Sequence, residues 1–255
     1  MTAIEVIHMT GKKAFISPPA QEPLPVFLGK TIEGERLFID LSVSNPLIIS
    51  GVCGSGKTIY LRSLLSELIS NNSAEKLQII TVRTNPYCDE LEDIISNHKG
   101  FFRSFSAEKI GDEFLQLLID EVHRRYRLFD NSGFHSFSAY NAQSKKTLPH
   151  LIVAIDSADR LLRASEEALL DRFFETVVRM WSHFGMTLVA TIQNLSLLAP
   201  WQYVIPCGSH IMFRTLDSQY LPYPNLDPHL LRCLELGAHL FASRNCEPTS
   251  FQPTY

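Results

Sequence analysis

The run Gly51-Val52-Cys53-Gly54-Ser55-Gly56-Lys57-Thr58 restricts this chain more than any other stretch. It reads G-x-x-x-x-G-K-T. A short apolar run, Leu47-Ile48-Ile49-Ser50, enters it, and an amphipathic segment over 59–70 leaves it. The order is strand, glycine-rich turn, helix, which is the context a phosphate-binding loop requires. Glycines let successive backbone N–H groups turn inward around phosphate oxygens, and the helix that follows adds its positive end. The spacing assigns the loop from Gly51 to Thr58 to the phosphates of a nucleotide. Lys57 is expected at the β- and γ-phosphates and the Thr58 hydroxyl on Mg²⁺.

The chain has 255 residues, room for one large domain and a small extension. The expected division is an extension and linker over 1–23 and a nucleotide-binding domain over 24–255. Net charge is −4, so no basic field supports nucleic-acid binding, although a few local Lys and Arg residues can suffice for it. Five cysteines, an odd number with no C-x-x-C pair, fit a reduced, cytoplasmic protein. No signal peptide is read at the amino end, and no apolar run approaches the length of a membrane span. The nine histidines show no metal-ligand spacing.

Residues 17–23 are proline-rich and read as a linker. Segments 25–29 and 36–40 read as two strands of a hairpin around Gly34. Further strands are expected at 76–82, 100–105, 148–155, 187–191, 210–214 and 238–242, and short helices at 91–96 and 134–142, the second starting at Ser136. Apolar residues Ile110, Phe114, Leu117, Leu118, Val122 and Tyr126 recur at helical spacing within 107–128. A single long helix is expected over 166–184, closed by Gly185, with Phe173, Phe174 and Trp181 in the core. Strands alternating with helices predict an α/β fold, a mostly parallel central sheet with helices on both faces, plus an amino-terminal β-hairpin.

Two more stations fit the same nucleotide. The apolar run Leu151-Ile152-Val153-Ala154-Ile155 ends in Asp156, the Walker B pattern, in which a buried strand delivers a carboxylate beside Mg²⁺. Gln193 follows the strand over 187–191 and is placed to sense the γ-phosphate or orient water. Ser157 follows Asp156, where a glutamate would serve as a base. A serine is a poor general base without an activating partner, and its plainer reading is a cap on the next turn. Asp159 lies two residues further on and can reach the water only if the backbone turns back. Cys53 reads as a tolerated small residue in the loop. Arg124 and Arg125 are open to two readings, contact with a phosphate or another subunit, or a solvated helix face.

Several blocks together resemble the motor domain of FtsK/SpoIIIE-type ATPases. Leu24-Pro25-Val26-Phe27-Leu28-Gly29-Lys30 with Gly34 and Asp40 looks like the entry hairpin of that family, and Gly51 to Thr58 looks like its phosphate loop. Glu121-Val122-His123-Arg124-Arg125-Tyr126 resembles its E-x-x-R-R-Y helix, followed by Gly133 and Tyr140-Asn141. His150 to Asp156, Gly185 through Gln193, and Leu236-Gly237-Ala238-His239-Leu240-Phe241 are similar to its Walker B, glutamine and late glycine blocks. The resemblance implies a RecA-like P-loop NTPase. It also implies a homo- or hetero-oligomer, a hexameric ring in most members, moving double-stranded DNA, or, in another branch, driving type VII protein secretion. Secretion substrates and membrane-anchored partner subunits are the alternative partners.

The departures bear on activity. The family's Walker B glutamate aligns with Ser157. Its Asp-Pro-Lys loop falls near Arg83-Thr84-Asn85-Pro86, where the acid is missing. Its Ser-Arg pair falls on Ser218-Gln219, leaving Arg214 as the nearest arginine. Neither membrane spans nor a winged-helix DNA reader is read in the sequence. The expectation is an ATP-binding motor module for DNA translocation or transfer, with weakened hydrolysis. The alternatives are a type VII secretion ATPase domain or a non-hydrolysing assembly subunit. The expected site is Lys57, Asp156 and Gln193 for catalysis, Gly51 to Thr58 for nucleotide, and Thr58 and Asp156 for the metal.

Overall fold

A computed structural model describes residues 24–31, 33–83, 91–105, 111–178, 181–201, 208–214, 239–243 and 246–253. The linker at 17–23, the loop at 84–89, Ser218, Gln219 and residues 236–238 lie outside this set.

Ten strands form one sheet in the order β2-β1-β10-β9-β8-β3-β7-β6-β4-β5. Six of them run parallel: β8 (Ser209–Met212), β3 (Leu47–Ser50), β7 (Met186–Ile192), β6 (His150–Asp156), β4 (Leu77–Arg83) and β5 (Phe102–Phe105). The other four, β9 (His239–Ser243), β10 (Cys246–Gln252), β1 (Pro25–Thr31) and β2 (Arg36–Asp40), extend the sheet by antiparallel pairing. Every residue of β3, β6, β7 and β8 is buried. That burial explains the near-continuous apolar runs of β3, β6 and β7, since a parallel strand covered on both faces has no polar side to show.

Successive side chains feed two cores, one on each face. Ile48, Val153, Ile155, Leu188 and Ile192 pack under α3 (Asp112–Asn131), α4 (Phe137–Gln143), α5 (Asp159–Ala164) and α6 (Glu167–Arg172). Leu47, Ile49, Ile152, Ala154 and Val189 pack under α1 (Lys57–Asn71) and α2 (Glu92–Asn97), together with Val26, Leu28, Leu37 and Ile39 of the hairpin. The α/β sheet with helices on both faces and the amino-terminal hairpin are thus as expected. The expected cap is present too, because Ser136 Oγ accepts from Ala139 N at 3.2 Å.

The helix expected over 166–184 is not continuous. α6 runs into a π-helical turn at Phe173–Val178, and a 3₁₀ turn at Trp181–Phe184 follows. Phe173 and Phe174, neighbours in sequence, are both buried, at 2% and 6% exposure. An α-helix would set them about 100° apart, and the wider π turn changes that geometry by an extra residue per turn. In α3, Phe114, Leu118 and Val122 are buried as expected, but Leu117 and Tyr126 are 36% and 56% exposed. Arg125 turns inward instead, while the Tyr126 ring meets Phe184 edge-on at 6.5 Å between centroids.

Candidate functional site

Parallel strands end at one edge of the sheet, and ligand sites of open α/β sheets lie outside that edge. At the end of β3 the chain enters the loop 51–58. Its entrance is tied to both flanking strands: Gly51 N donates to Ile192 O of β7 at 3.2 Å, and Val52 N donates to Arg214 O just beyond β8 at 3.1 Å. Gly51 has no substitute here. A Cβ on it would lie 2.6 Å from Phe213 Cβ and 2.8 Å from Ser55 Oγ. Gly54 and Gly56 take φ of 72° and 95°, the left-handed region open to glycine, and Gly56 leads directly into α1.

Lys57, the first residue of α1, is buried at 7% exposure. Its Nζ donates to Gly51 O at 2.9 Å and Val52 O at 2.8 Å, so the ammonium is held inside the loop. Burial lowers its pKa below the ordinary lysine value, and the nearby charges of Asp159, Cys53 and Asp156 oppose that shift. Asp156 ends β6, buried at 6% exposure. Thr58 Oγ1 lies 3.1 Å from both of its carboxylate oxygens, and its hydroxyl donates to them. Thr191 Oγ1 of β7 donates to Asp156 Oδ1 at 2.7 Å and accepts from Ser157 N at 2.7 Å. Thr191, which the sequence reading passed over, therefore links the two strands that frame the acid. A buried threonine at a strand end carries no pattern that separates it from an ordinary core threonine.

Ser157 stands in the left-handed region, with φ 57°, uncommon for a residue with a side chain. Asp159 begins α5, and its carboxylate accepts from Gln193 N at 2.9 Å and Asn194 N at 2.8 Å. Gln193 is exposed just beyond β7, and Arg214 is exposed just beyond β8. Cys53 is a free, exposed cysteine within the loop. The chain thus brings 51–58, Asp156, Asp159, Thr191 and Gln193 to one edge. Arg124 and Arg125 do not join them. Arg125, 2% exposed, donates through Nη1 to Phe184 O at 2.8 Å and through Nη2 to Pro149 O at 3.0 Å. Neither a phosphate contact nor a solvated face describes Arg125.

The local chemistry fits a phosphorylated ligand with a hard divalent cation. Ser55 Oγ is buried with no hydrogen-bond partner among the described residues. The loop glycines leave a cradle without Cβ atoms, and an ammonium lies inside it. The oxygens of Thr58 and Asp156 are the donor type Mg²⁺ prefers, and Mg²⁺ usually takes only one or two protein ligands beside water and phosphate. In keeping with so sparse a site, no cluster of three or more His, Cys, Asp or Glu that could hold a metal occurs among the described residues. No helix among them is long and apolar enough to cross a membrane.

Comparison with known proteins agrees with this arrangement. The DNA translocase FtsK of Borreliella burgdorferi is 30% identical over 181 residues, covering 68% of this chain and 22% of its own length. The FtsK of Campylobacter jejuni is 28% identical over 191 residues, 70% of this chain and 19% of its own. The chain thus spans about a fifth of the length of these relatives. Among solved structures, the cytoplasmic domain of the Thermomonospora curvata type VII secretion ATPase EccC superposes with a TM-score of 0.73 at 20% identity, covering 93% of this chain and 29% of that one. The pCW3 conjugation coupling protein TcpA gives 0.62 at 18% identity, covering 92% and 67%. These two likenesses show the shared RecA-like fold. The FtsK/SpoIIIE family profile matches residues 17–195, well over half the sequence, and the chain belongs to the FtsK/SpoIIIE family.

Proposed function

We propose that this chain is an ATP-binding motor module that takes Mg-ATP at residues 51–58 and serves DNA translocation or transfer. The observation that carries the nucleotide reading is the meeting of Thr58 and Asp156, 98 positions apart in sequence and 3.1 Å apart in space, beside the buried ammonium of Lys57. Lys57 would hold the phosphates, Thr58 and Asp156 the metal, and Gln193 the γ-phosphate. Bound Mg²⁺ would supply charge neutralisation for the phosphates. Two of the three Lys57 N–H donors are engaged by Gly51 O and Val52 O of its own loop, which leaves one for a phosphate. The DNA reading is supported by the sequence relatives, which are DNA translocases.

Hydrolysis is proposed to be slow. Ser157 supplies no carboxylate at the position after Asp156, and both Asp159 oxygens already accept backbone N–H groups. Loss of general-base help commonly removes a factor of about 10²–10⁴ from the rate. A second reading, a protein-export ATPase of the type VII kind, is favoured by the net charge of −4 and the absence of a basic field. Ring assembly, with double-stranded DNA or secretion substrates and membrane-anchored subunits as partners, belongs to these proposals.

The site is tested by calorimetry. Lys57→Ala should weaken Mg-ATP binding by roughly a hundredfold or more, the scale of losing a buried charge-assisted contact. Unchanged affinity would remove the site assignment. Turnover measured with and without double-stranded DNA, and with candidate export substrates, separates the two motor readings.

A further inference from the structure

Asp159 has no role in the site as proposed so far, yet it makes a specific pair of contacts. Both of its carboxylate oxygens are engaged by consecutive main-chain amides, Gln193 N at 2.9 Å and Asn194 N at 2.8 Å, from a segment 34 and 35 positions away. Two further bonds stitch the same corner: Ser157 N to Thr191 Oγ1 at 2.7 Å and Ala158 N to Thr191 O at 2.8 Å. The turn after β6 is therefore tied to the end of β7 through Ser157 and Ala158, and to the turn after β7 through Asp159. The Asn194 side chain is engaged elsewhere, with Oδ1 accepting from Ser196 N at 3.0 Å and from the Ser196 hydroxyl. Gln193 is exposed. Its main chain is fixed and its amide side chain makes no hydrogen bond among the described residues.

We infer that Asp159 is a positioning residue for Gln193, setting the loop from which that amide distinguishes a nucleotide with a γ-phosphate from one without it. This rests on the nucleotide reading above. The charge of Asp159 also opposes the effect of burial on the Lys57 ammonium. Each Asp159 oxygen is already engaged by a main-chain amide of the turn that carries Gln193. Its effect reaches the ligand through Gln193.

The test compares binding of Mg-ADP and of the non-hydrolysable Mg-AMP-PNP by calorimetry on the full chain. Asp159→Asn removes the charge but keeps one acceptor oxygen; Asp159→Ala removes both. The difference between them reads the clamp without the charge. The ratio of AMP-PNP to ADP affinity should fall by up to about tenfold further in Asp159→Ala than in Asp159→Asn, the scale of one neutral hydrogen bond. ADP affinity should stay within about twofold, and in a Gln193→Ala background the two Asp159 variants should give the same ratio. Equal ratios in the two variants, or a difference that persists without Gln193, overturn the inference. If Asp159→Ala fails to fold, Asp159→Asn alone is read with and without Gln193, and absence of coupling overturns it. Turnover lost equally in both variants with the ratio unmoved would make Asp159 a base instead. Nucleotide binding that is absent, or indifferent to Lys57→Ala, removes the site reading and this inference together. Binding that depends on Lys57 but not on Asp159 removes this inference alone.

Discussion

At the residue scale, the proposal of slow hydrolysis turns on the position after Asp156, which is Ser157. Ser157 already occupies the left-handed region, so a longer side chain there adds little backbone strain beyond what serine bears. Ser157→Glu should raise turnover, by as much as about 10²-fold if a base is the only missing part. Rapid wild-type hydrolysis in a steady-state assay, collapsing on Asp159→Ala, would contradict this. The phosphate loop was legible because its chemistry needs glycines, a lysine and a hydroxyl at fixed spacing. The clamp by Asp159 was not, since its donors are main-chain amides that leave no mark in sequence. For the same reason Asp159 was weighed only as a substitute base.

At the element scale, Arg125 fastens α3 to the corner that leads into β6 and β7. One guanidinium reaches Phe184 O, Gly185 O, Pro149 O and Glu121 Oε1. Glu121, shared with Arg124, is held below the usual glutamate range by those two arginines, against the effect of burial. Lysine offers one compact head where four acceptors are spread around a planar fork. Arg125→Lys should therefore destabilise the fold by about 2–4 kcal/mol in urea denaturation while leaving the Mg-ATP affinity of the folded fraction unchanged. A variant as stable as wild type would show that the carbonyls are satisfied without the fork. Sequence reading left Arg125 between a phosphate or subunit contact and a solvated helix face, because three of its four acceptors are main-chain carbonyls that leave no mark in sequence. β10 was missed for a different reason. Its sequence, Cys246-Glu-Pro-Thr-Ser-Phe-Gln, has no alternation and contains Pro248, which a ladder tolerates best at an irregularity. The register does shift between Cys246 and Thr249.

At the scale of the whole molecule, two buried histidines set an acid limit. His150 and His210 are both enclosed, and burial lowers each pKa from 6.5 to about 3, with Arg125 adding to the effect at His150. Thr187 Oγ1 donates to Leu41 O at 2.7 Å, so it must accept from His150 Nε2, 3.0 Å away, which fixes the neutral tautomer. Above pH 6.5 both states of each histidine are neutral and the stability is complete. Between 6.5 and about 3 only the unfolded chain takes up protons, so stability falls with pH by about 1.4 kcal/mol per unit for each histidine. His150→Gln, whose amide can replace Nε2–H, should flatten the dependence of unfolding free energy on pH by about one proton over that window. An unchanged slope would mean that His150 is protonated in the folded protein.

The sheet order has a consequence for how the chain comes together in time. β1 is flanked by β2 and β10, with Lys30 opposite Gln252. A ribosome makes the hairpin early and its neighbour near the end of the described sequence. Until then one edge of β1 is open to any strand that meets it. The Tyr60 hydroxyl donates to Leu28 O, and Glu67 accepts from Phe27 N at 2.9 Å, so α1 can hold the hairpin meanwhile. Synthesis of β10 then closes that edge, so the sheet cannot be completed until nearly the whole described chain has emerged.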